Sequence, residues 1–168
     1  SSDLGQSIGI LQSMRIQQAA GLNGNRYATF HQLGKEQAQK LHEDDRLYDV
    51  GDTIFIGSTP LGNSSLSLYL REYHDNALSM YPAIGNVKEG RLPEEAIEIA
   101  LSEDALQYLG LDAVIGDTVS LDLSVSVMDG SLSELEYSAD FVLTGILESS
   151  YIGYASGTVE GIVGEGTA

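Results

Sequence analysis

The side chains in this sequence best suited to chemistry are three histidines, His31, His42 and His74. No two of them have the spacing of metal ligands or of a His-Glu-x-x-His helix. The chain contains no cysteine, so thiolate metal sites, disulfides and cysteine nucleophiles are excluded. A zinc site would need these histidines and carboxylates to converge from separate elements. We therefore interpret each histidine as a surface or strand-edge residue.

Oxygen-bearing side chains suggest two calcium-like stretches. Residues 129–134 place oxygens at alternate positions, and residues 42–45 form an acidic cluster. The first stretch has too few carboxylates for a calcium loop, and its Asp-Gly dipeptide is typical of a hairpin turn. Adjacent acids such as Glu94-Glu95 and Glu103-Asp104 are expected by chance among 25 acidic residues. None has a local reason for a raised pKa.

Serine nucleophiles and phosphate loops find no support either. The stretch Gly57-Ser58-Thr59-Pro60 lacks the Gly-x-Ser-x-Gly pattern of a strained nucleophile. The glycines between Gly153 and Gly166 are not followed by a phosphate-binding lysine, and they predict a flexible terminus. We therefore predict no catalytic, metal-binding or cofactor-binding residue, no cofactor and no enzymatic activity. A hydrolase with a dispersed site, built from acids and His74, stays open as an alternative.

The net charge limits the choice of partners. The 168 residues include 25 acidic and 8 basic side chains, which gives a formal charge of −17. Such a surface repels nucleic acid and anionic lipid, and it attracts cationic peptides or basic protein patches. No apolar run approaches the roughly 20 residues that a membrane-spanning helix needs. The opening and closing residues favour a soluble piece of a longer, membrane-attached chain.

The first half of the chain predicts alternating helices and strands. Apolar residues recur at helical spacing from Leu4 to Ala20, where they form a narrow stripe suited to packing on one neighbour. The following elements are a strand over 26–33, a polar helix over 35–43, an extended segment over 46–56, a loop over 58–63, a strand over 66–71 and a helix over 72–80.

The second half predicts a long hairpin. After a short strand over 98–101, Ser102 is placed to cap a helix that ends at Gly110. Apolar residues then occupy every second position from Val119 to Val127 and again from Leu135 to Leu143. This period of two is typical of strands with one buried and one wet face.

Together these elements predict an α+β fold. It would consist of two small lobes of mixed or antiparallel sheet with packed helices, an N-terminal stalk helix and a long antiparallel hairpin in the C-terminal half. The predicted segments are a membrane-proximal stalk helix over 1–23, a first α/β lobe over 24–88, a second lobe with the hairpin over 89–148, and a Gly-rich return segment over 149–168.

Four short motifs in the second half resemble a known family. They are Glu89-Gly90-Arg91-Leu92-Pro93, Glu98-Ile99-Ala100-Leu101-Ser102-Glu103, Leu109-Gly110-Leu111 and Ile115-Gly116-Asp117-Thr118-Val119-Ser120-Leu121. In this order they are similar to the extracytoplasmic domain of MacB/FtsX-type ABC-transporter permeases. The stretch Phe141–Ile146 resembles the strand that follows in that family. The resemblance covers residues 89–146, about a third of the chain.

The resemblance implies a domain inserted between transmembrane helices on the extracytoplasmic face of a bacterial cell membrane. Its function would be to transmit ATP-driven conformational change to export, lipoprotein handling or regulation of a partner protein. Its partners would be a cytoplasmic ATP-binding subunit, a second permease copy, and possible cationic peptides or extracytoplasmic proteins. The family's ATP chemistry lies on a separate subunit, so no catalytic role is carried over. A stand-alone extracellular ligand- or peptide-binding module stays open as the alternative function.

Overall fold

The computed structural model describes residues 35–44, 51–75, 77–80, 84–128, 131–149 and 157–168. The strands in these ranges are β1 (Gly51–Pro60), β2 (Ser67–Asp75), β3 (Val87–Gly90), β4 (Glu98–Ser102), β5 (Thr118–Met128), β6 (Leu132–Leu147) and β7 (Thr158–Val163). The helices described are α1 (Lys35–His42), α2 (Glu103–Tyr108) and a short 3-10 turn (Leu78–Met80).

Six of the described strands close into a barrel. The order around the barrel is β6-β4-β7-β2-β1-β5, and β5 pairs back with β6. β3 lies outside this ring, antiparallel to the last residues of β6. β2 pairs with β7 and β4 pairs with β6 in parallel, whereas the other neighbours in the ring are antiparallel. The closed ring leaves its member strands few exposed edges.

The barrel interior is filled by the apolar residues that alternate along the strands. Every second residue of a strand points to the same face, and the inward set is buried in one cluster. From the strands, this cluster includes Leu68, Leu70, Ile99, Leu101, Val119, Leu121, Leu123, Phe141, Leu143, Val159 and Val163. A smaller cluster on the outer side joins Ala100, Leu147 and Ile162 beneath β3 and the segment before it.

The two ends of the barrel differ. Leu61, in the loop after β1, packs into the core together with Ala105 and Leu106 of α2, and these residues fill one end. Ser102 caps α2 by accepting a hydrogen bond from the Ala105 N–H at 3.2 Å, as its position predicts. At the opposite end lie the starts of β1, β4 and β6 and the ends of β2, β5 and β7. We call the first the closed end and the second the open end.

The predicted α+β fold is wrong, because the protein is mostly β with a closed six-stranded barrel. Strands on both sides of position 88 share one sheet, so the barrel replaces the two predicted lobes. The helices contribute little: α1 has no buried residue, and α2 has six residues. The predicted stalk helix over 1–23 and the strand over 26–33 lie outside the described residues.

Two local corrections explain this error. The predicted helix over 72–80 is replaced in part by β2, which continues to Asp75. Glu72 lies on the same inward face as Leu68 and Leu70, and its charge hides the apolar alternation in the sequence. The predicted flexible terminus contains β7, whose inward face includes Gly161. A β-carbon there would press into the side chains of Leu70 and Leu101, so glycine is needed at this position.

Several elements are confirmed. β5 and β6 pair without interruption over Thr118–Met128, as the alternation predicts. The helices over Lys35–His42 and Glu103–Tyr108 are also present. The predicted loop over 58–63 begins later, because β1 continues to Pro60.

The close approach of Gly145 to the Arg91 backbone leads to a prediction on stability. A β-carbon on Gly145 would overlap the Arg91 carbonyl, whereas Gly110 has space around it and a φ of +69°. We expect Gly145→Ala to lower the free energy of unfolding by about 2–3 kcal/mol, as overpacking does, and Gly110→Ala to lower it by only about 1 kcal/mol through backbone strain. Urea denaturation measures the free energy of unfolding of both variants. Equal losses of stability would contradict the close packing of Gly145 in β6 against Arg91.

Candidate functional site: an apolar groove at the open end

The open end of the barrel contains an apolar groove of about 500 Å³. Residues from β1, β5 and β6, the residue before β4 and the two residues at the end of the described chain form its walls. They are Phe55, Ile56, Ile97, Val125, Leu135, Tyr137, Ala139, Asp140, Phe141, Thr167 and Ala168. Nearly all are apolar, and the mouth of a barrel is a common place for ligand sites.

The groove exists because the hairpin is longer than its neighbours. β4 pairs with β6 only from Val142 onward, and β1 is in register with β5 only at Ser58 and Ser124. The start of β6 and the end of β5 therefore project as a two-stranded ribbon. Its inner face continues the core alternation, but among the described residues no strand covers it, and Leu135 is 54% exposed.

Tyr137 joins the ribbon to β1 across the groove. The β1–β2 ladder shifts register between Phe55 and Gly57, so Ile56 is the extra residue of a bulge. The Tyr137 hydroxyl donates a hydrogen bond to the Ile56 carbonyl oxygen. Burial raises the pKa of Tyr137, so this hydroxyl stays protonated and remains a donor at neutral pH.

Ile97 forms a strained wall of the groove. Among the described residues it is the one non-glycine residue with positive φ, at 63°, and its side chain is 55% exposed. Its N–H donates to Thr167 Oγ1 at 3.0 Å, and its carbonyl accepts from the Val142 N–H at 2.9 Å. A β-branched residue in this region is unfavourable, and such strain is concentrated at functional sites.

A buried carboxylate holds the C-terminal wall in place. Glu72 is 2% exposed and accepts hydrogen bonds from the N–H groups of Gly166 and Ala168, both at 2.9 Å. His74 Nε2 lies 2.7 Å from the same carboxylate. Burial alone raises the Glu72 pKa, but these hydrogen bonds outweigh it and the pKa is lowered. The ionised Glu72 thus anchors the turn that carries Thr167 and Ala168.

The ribbon has an acidic outer face. Asp122, Glu134, Glu136 and Asp140 lie on β5 and β6, and residues 118–147 include no lysine, arginine or histidine. Elsewhere in the described ranges, Lys40, Arg71, Lys88 and Arg91 each contact a glutamate. Each of these four positive charges is therefore paired locally, and the acidic side chains of the ribbon make the potential beside them negative.

The structure does not bring the three histidines together in one site. His31 lies outside the described residues. His42 Nε2 contacts Asp52 Oδ2 at 2.8 Å and so links α1 to β1. His74 lies between the carboxylates of Glu72 and Glu165, at 2.7 and 3.5 Å.

The other residues considered for chemistry have structural positions. Ser58 lies in β1 opposite Ser124, and Glu134 lies in β6 opposite Ser126, although the turn over 129–130 lies outside the described residues. The N–H groups of Glu94 and Glu95 both donate to Glu98 Oε2. Glu103 binds Lys88 at 2.7 Å. Within the described ranges no group of three metal-binding side chains could hold an ion.

Sequence reasoning missed the groove itself. The signal was present in the hairpin, where the alternation continues to Val125 and Leu135 and so predicts an apolar face along its whole length. Whether a neighbouring strand covers that face depends on distant pairings, which no local pattern reports.

The strain at Ile97 predicts a variant that alters the groove at little cost in stability. The Ile97→Gly variant relieves the strain of the left-handed conformation, which stabilises the fold by about 1–2 kcal/mol. It also loses apolar burial and makes the unfolded chain more flexible, which destabilises the fold by a similar amount. We expect the free energy of unfolding in urea to change by less than about 1 kcal/mol. Ile115→Gly is the control, since Ile115 is 40% exposed without positive φ. A loss of stability in Ile97→Gly as large as that in Ile115→Gly would contradict the assignment of backbone strain to Ile97.

Glu98 predicts a specific acid sensitivity. The Arg91 guanidinium, at 2.9 Å, and the N–H groups of Glu94 and Glu95 lower the Glu98 pKa from 4.5 to about 2. Because the folded pKa is depressed, this contribution is complete above pH 4.5 and is lost as the pH falls toward 2. We expect Glu98→Gln to be less stable than the wild type at neutral pH, and the difference to shrink in acid.

Thermal unfolding at a series of pH values measures this difference. Glu89→Gln is the matched control, because Glu89 is exposed and lies near the same loop. A gap between wild type and Glu98→Gln that stays constant from neutral pH to pH 2 would contradict the assignment.

Comparison with known proteins leaves the groove to be interpreted from its own geometry. No family model, curated protein or solved structure matches the chain. In the part of the chain that the structure describes, no helix has both the length and the apolar character to cross a bilayer.

Proposed function

We propose that this chain is an extracytoplasmic domain of a MacB/FtsX-type ABC-transporter permease. Its role is to transmit ATP-driven conformational change to export, lipoprotein handling or a partner protein. The observation that carries the proposal is the position of the four motifs that resemble this family. They fall at the end of β3, on β4, directly after α2 and at the start of β5, and these strands form one paired unit with β6.

Three of the four motifs have a structural reason within this unit. Gly90 has a φ of +75° and lies so close to Thr144 that a β-carbon would overlap its carbonyl. Arg91 binds Glu98 across the loop between β3 and β4. Gly116 has a φ of +96°, and Asp117 accepts the Val114 N–H at 3.0 Å to form the turn before β5. Residues with such requirements are the ones expected to recur in a family.

The hairpin is suited to transmitting movement. β6 has 16 residues, which at about 3.4 Å each span roughly 50 Å. One part of it lies between β3 and β4, and the other part projects with β5 beyond the ring. The hairpin therefore acts as a lever, so that a displacement of the barrel also moves the ribbon tip.

The proposal includes the location and partners of the family. The domain would lie on the extracytoplasmic face of a bacterial cell membrane, with an ATP-binding subunit inside and a second permease copy beside it. The groove favours a second candidate function, that of a stand-alone extracellular ligand- or peptide-binding module, because an apolar site needs no transporter to bind a ligand.

Site-directed labelling in cells tests the location. Leu132 is 76% exposed on the ribbon, and this sequence has no cysteine. In the full-length parent protein, with any other cysteines replaced, Leu132→Cys should react with a membrane-impermeant maleimide in intact spheroplasts. The protein should sediment with membranes and copurify with an ATP-binding subunit.

The outcomes separate the two candidates. Leu41→Cys, in the part-buried face of α1, is a slow-reacting control for the same protein. A labelled protein that is secreted and copurifies with no ATP-binding subunit favours the stand-alone module. Labelling of Leu132→Cys only after lysis would refute both locations.

A further inference from the structure

We propose that the groove and the adjoining edge of β6 bind an extended peptide segment in which apolar and basic residues alternate. The inference does not rest on the proposed function, since a permease domain and a stand-alone module would use the same surface. Three features of the ribbon lead to it: an open strand edge, an apolar inner face and an acidic outer face.

The first feature is the open edge. Residues 134–140 of β6 pair with β5 on one side. On the other side β4 begins its pairing only at Val142, and within the described residues no strand continues this ladder toward the tip. Unpaired N–H and C=O groups in a row are a template for an added strand. The groove lies beside this edge, bounded by Ile97 and Thr167.

The second feature is the difference between the two faces of the edge. Leu135 and Tyr137 point to the groove, and Glu134 and Glu136 alternate with them on the outer face. A strand added at this edge would place its residues alternately beside these two faces, because side chains alternate along a strand. Apolar residues would therefore enter the groove, and lysine or arginine would lie beside the glutamates.

The third feature is the acidic outer face. Glu134 and Glu136 are exposed, and the ribbon itself includes no basic residue. Opposite charges on neighbouring strands stabilise the pair, whereas like charges oppose it. The same acids discourage a second copy of this chain from adding at the edge, since it would bring its own glutamates. A cationic partner is the occupant that fits.

Fluorescence anisotropy with synthetic peptides of about nine residues tests the proposal, a length that covers the open edge. The probe alternates valine and lysine; its comparators are an alternating valine–glutamate peptide and an isomer with the valines and lysines in separate blocks. We expect the alternating cationic peptide to bind at least about tenfold more tightly than either comparator. Raising the salt concentration should weaken this binding.

Variants of the 168-residue chain locate the site. Leu135→Ser should weaken binding through the groove, and the double variant Glu134→Gln/Glu136→Gln should weaken it through the outer face, each by about fivefold or more. Ile97→Gly should also weaken binding while the fold stays intact, which separates loss of the site from unfolding. The matched controls are Val114→Ser, 63% exposed at the other end, and Asp112→Asn/Glu148→Gln.

Amide hydrogen exchange reports the backbone pairing. Bound peptide should slow exchange at residues 134–140 more than elsewhere. Equal binding of all three peptides, or equal losses in the control variants, would overturn the proposal. So would concentration-dependent dimerisation in sedimentation that the Leu135→Ser variant abolishes, since a second copy would then be the occupant.

Discussion

Closure of the barrel by β7 is the constraint on which the rest of the structure depends. This strand inserts between β2 and β4, parallel to one and antiparallel to the other. It thereby joins the first and last parts of the described chain, with register pairs such as Leu68 and Val159 that are far apart in sequence. Such non-local pairing is slow to form, because the chain loses loop-closure entropy before the contacts between the strands stabilise it. Without it, β2 and β4 would be the two unpaired edges of an open sheet.

The ion pair between Arg71 and Glu160 reinforces this closure on the outer side. The Arg71 guanidinium contacts both carboxylate oxygens of Glu160 at 2.6 Å, next to Phe55 and Tyr69, whose ring centroids are 5.6 Å apart. On the inner side, Gly161 leaves room for the side chains of Leu70 and Leu101 from the two neighbouring strands. The closing strand therefore has specific contacts on both faces.

Local patterns predicted the parts of this protein that local interactions determine. The alternation from Val119 to Leu143 located the hairpin, and Ser102 located the start of α2. The same reasoning failed at Glu72, where a charged residue lies on an inward face because distant N–H groups satisfy it. It failed again at β7, where glycines that suggested disorder instead permit close packing. Barrel closure and the groove follow from strand pairings between residues far apart in the sequence, which no local pattern reports.

The difference in length between the hairpin and its neighbouring strands produces both the groove and a risk of aggregation. A hairpin longer than its neighbours must expose part of an apolar face, and an exposed apolar edge promotes aggregation. The glutamates that alternate with Leu135 and Tyr137 lower that risk, because a neighbour with the same charge is repelled. They do not repel a positively charged strand. The same two glutamates, Glu134 and Glu136, therefore oppose aggregation at the open end and restrict which partners can cover it.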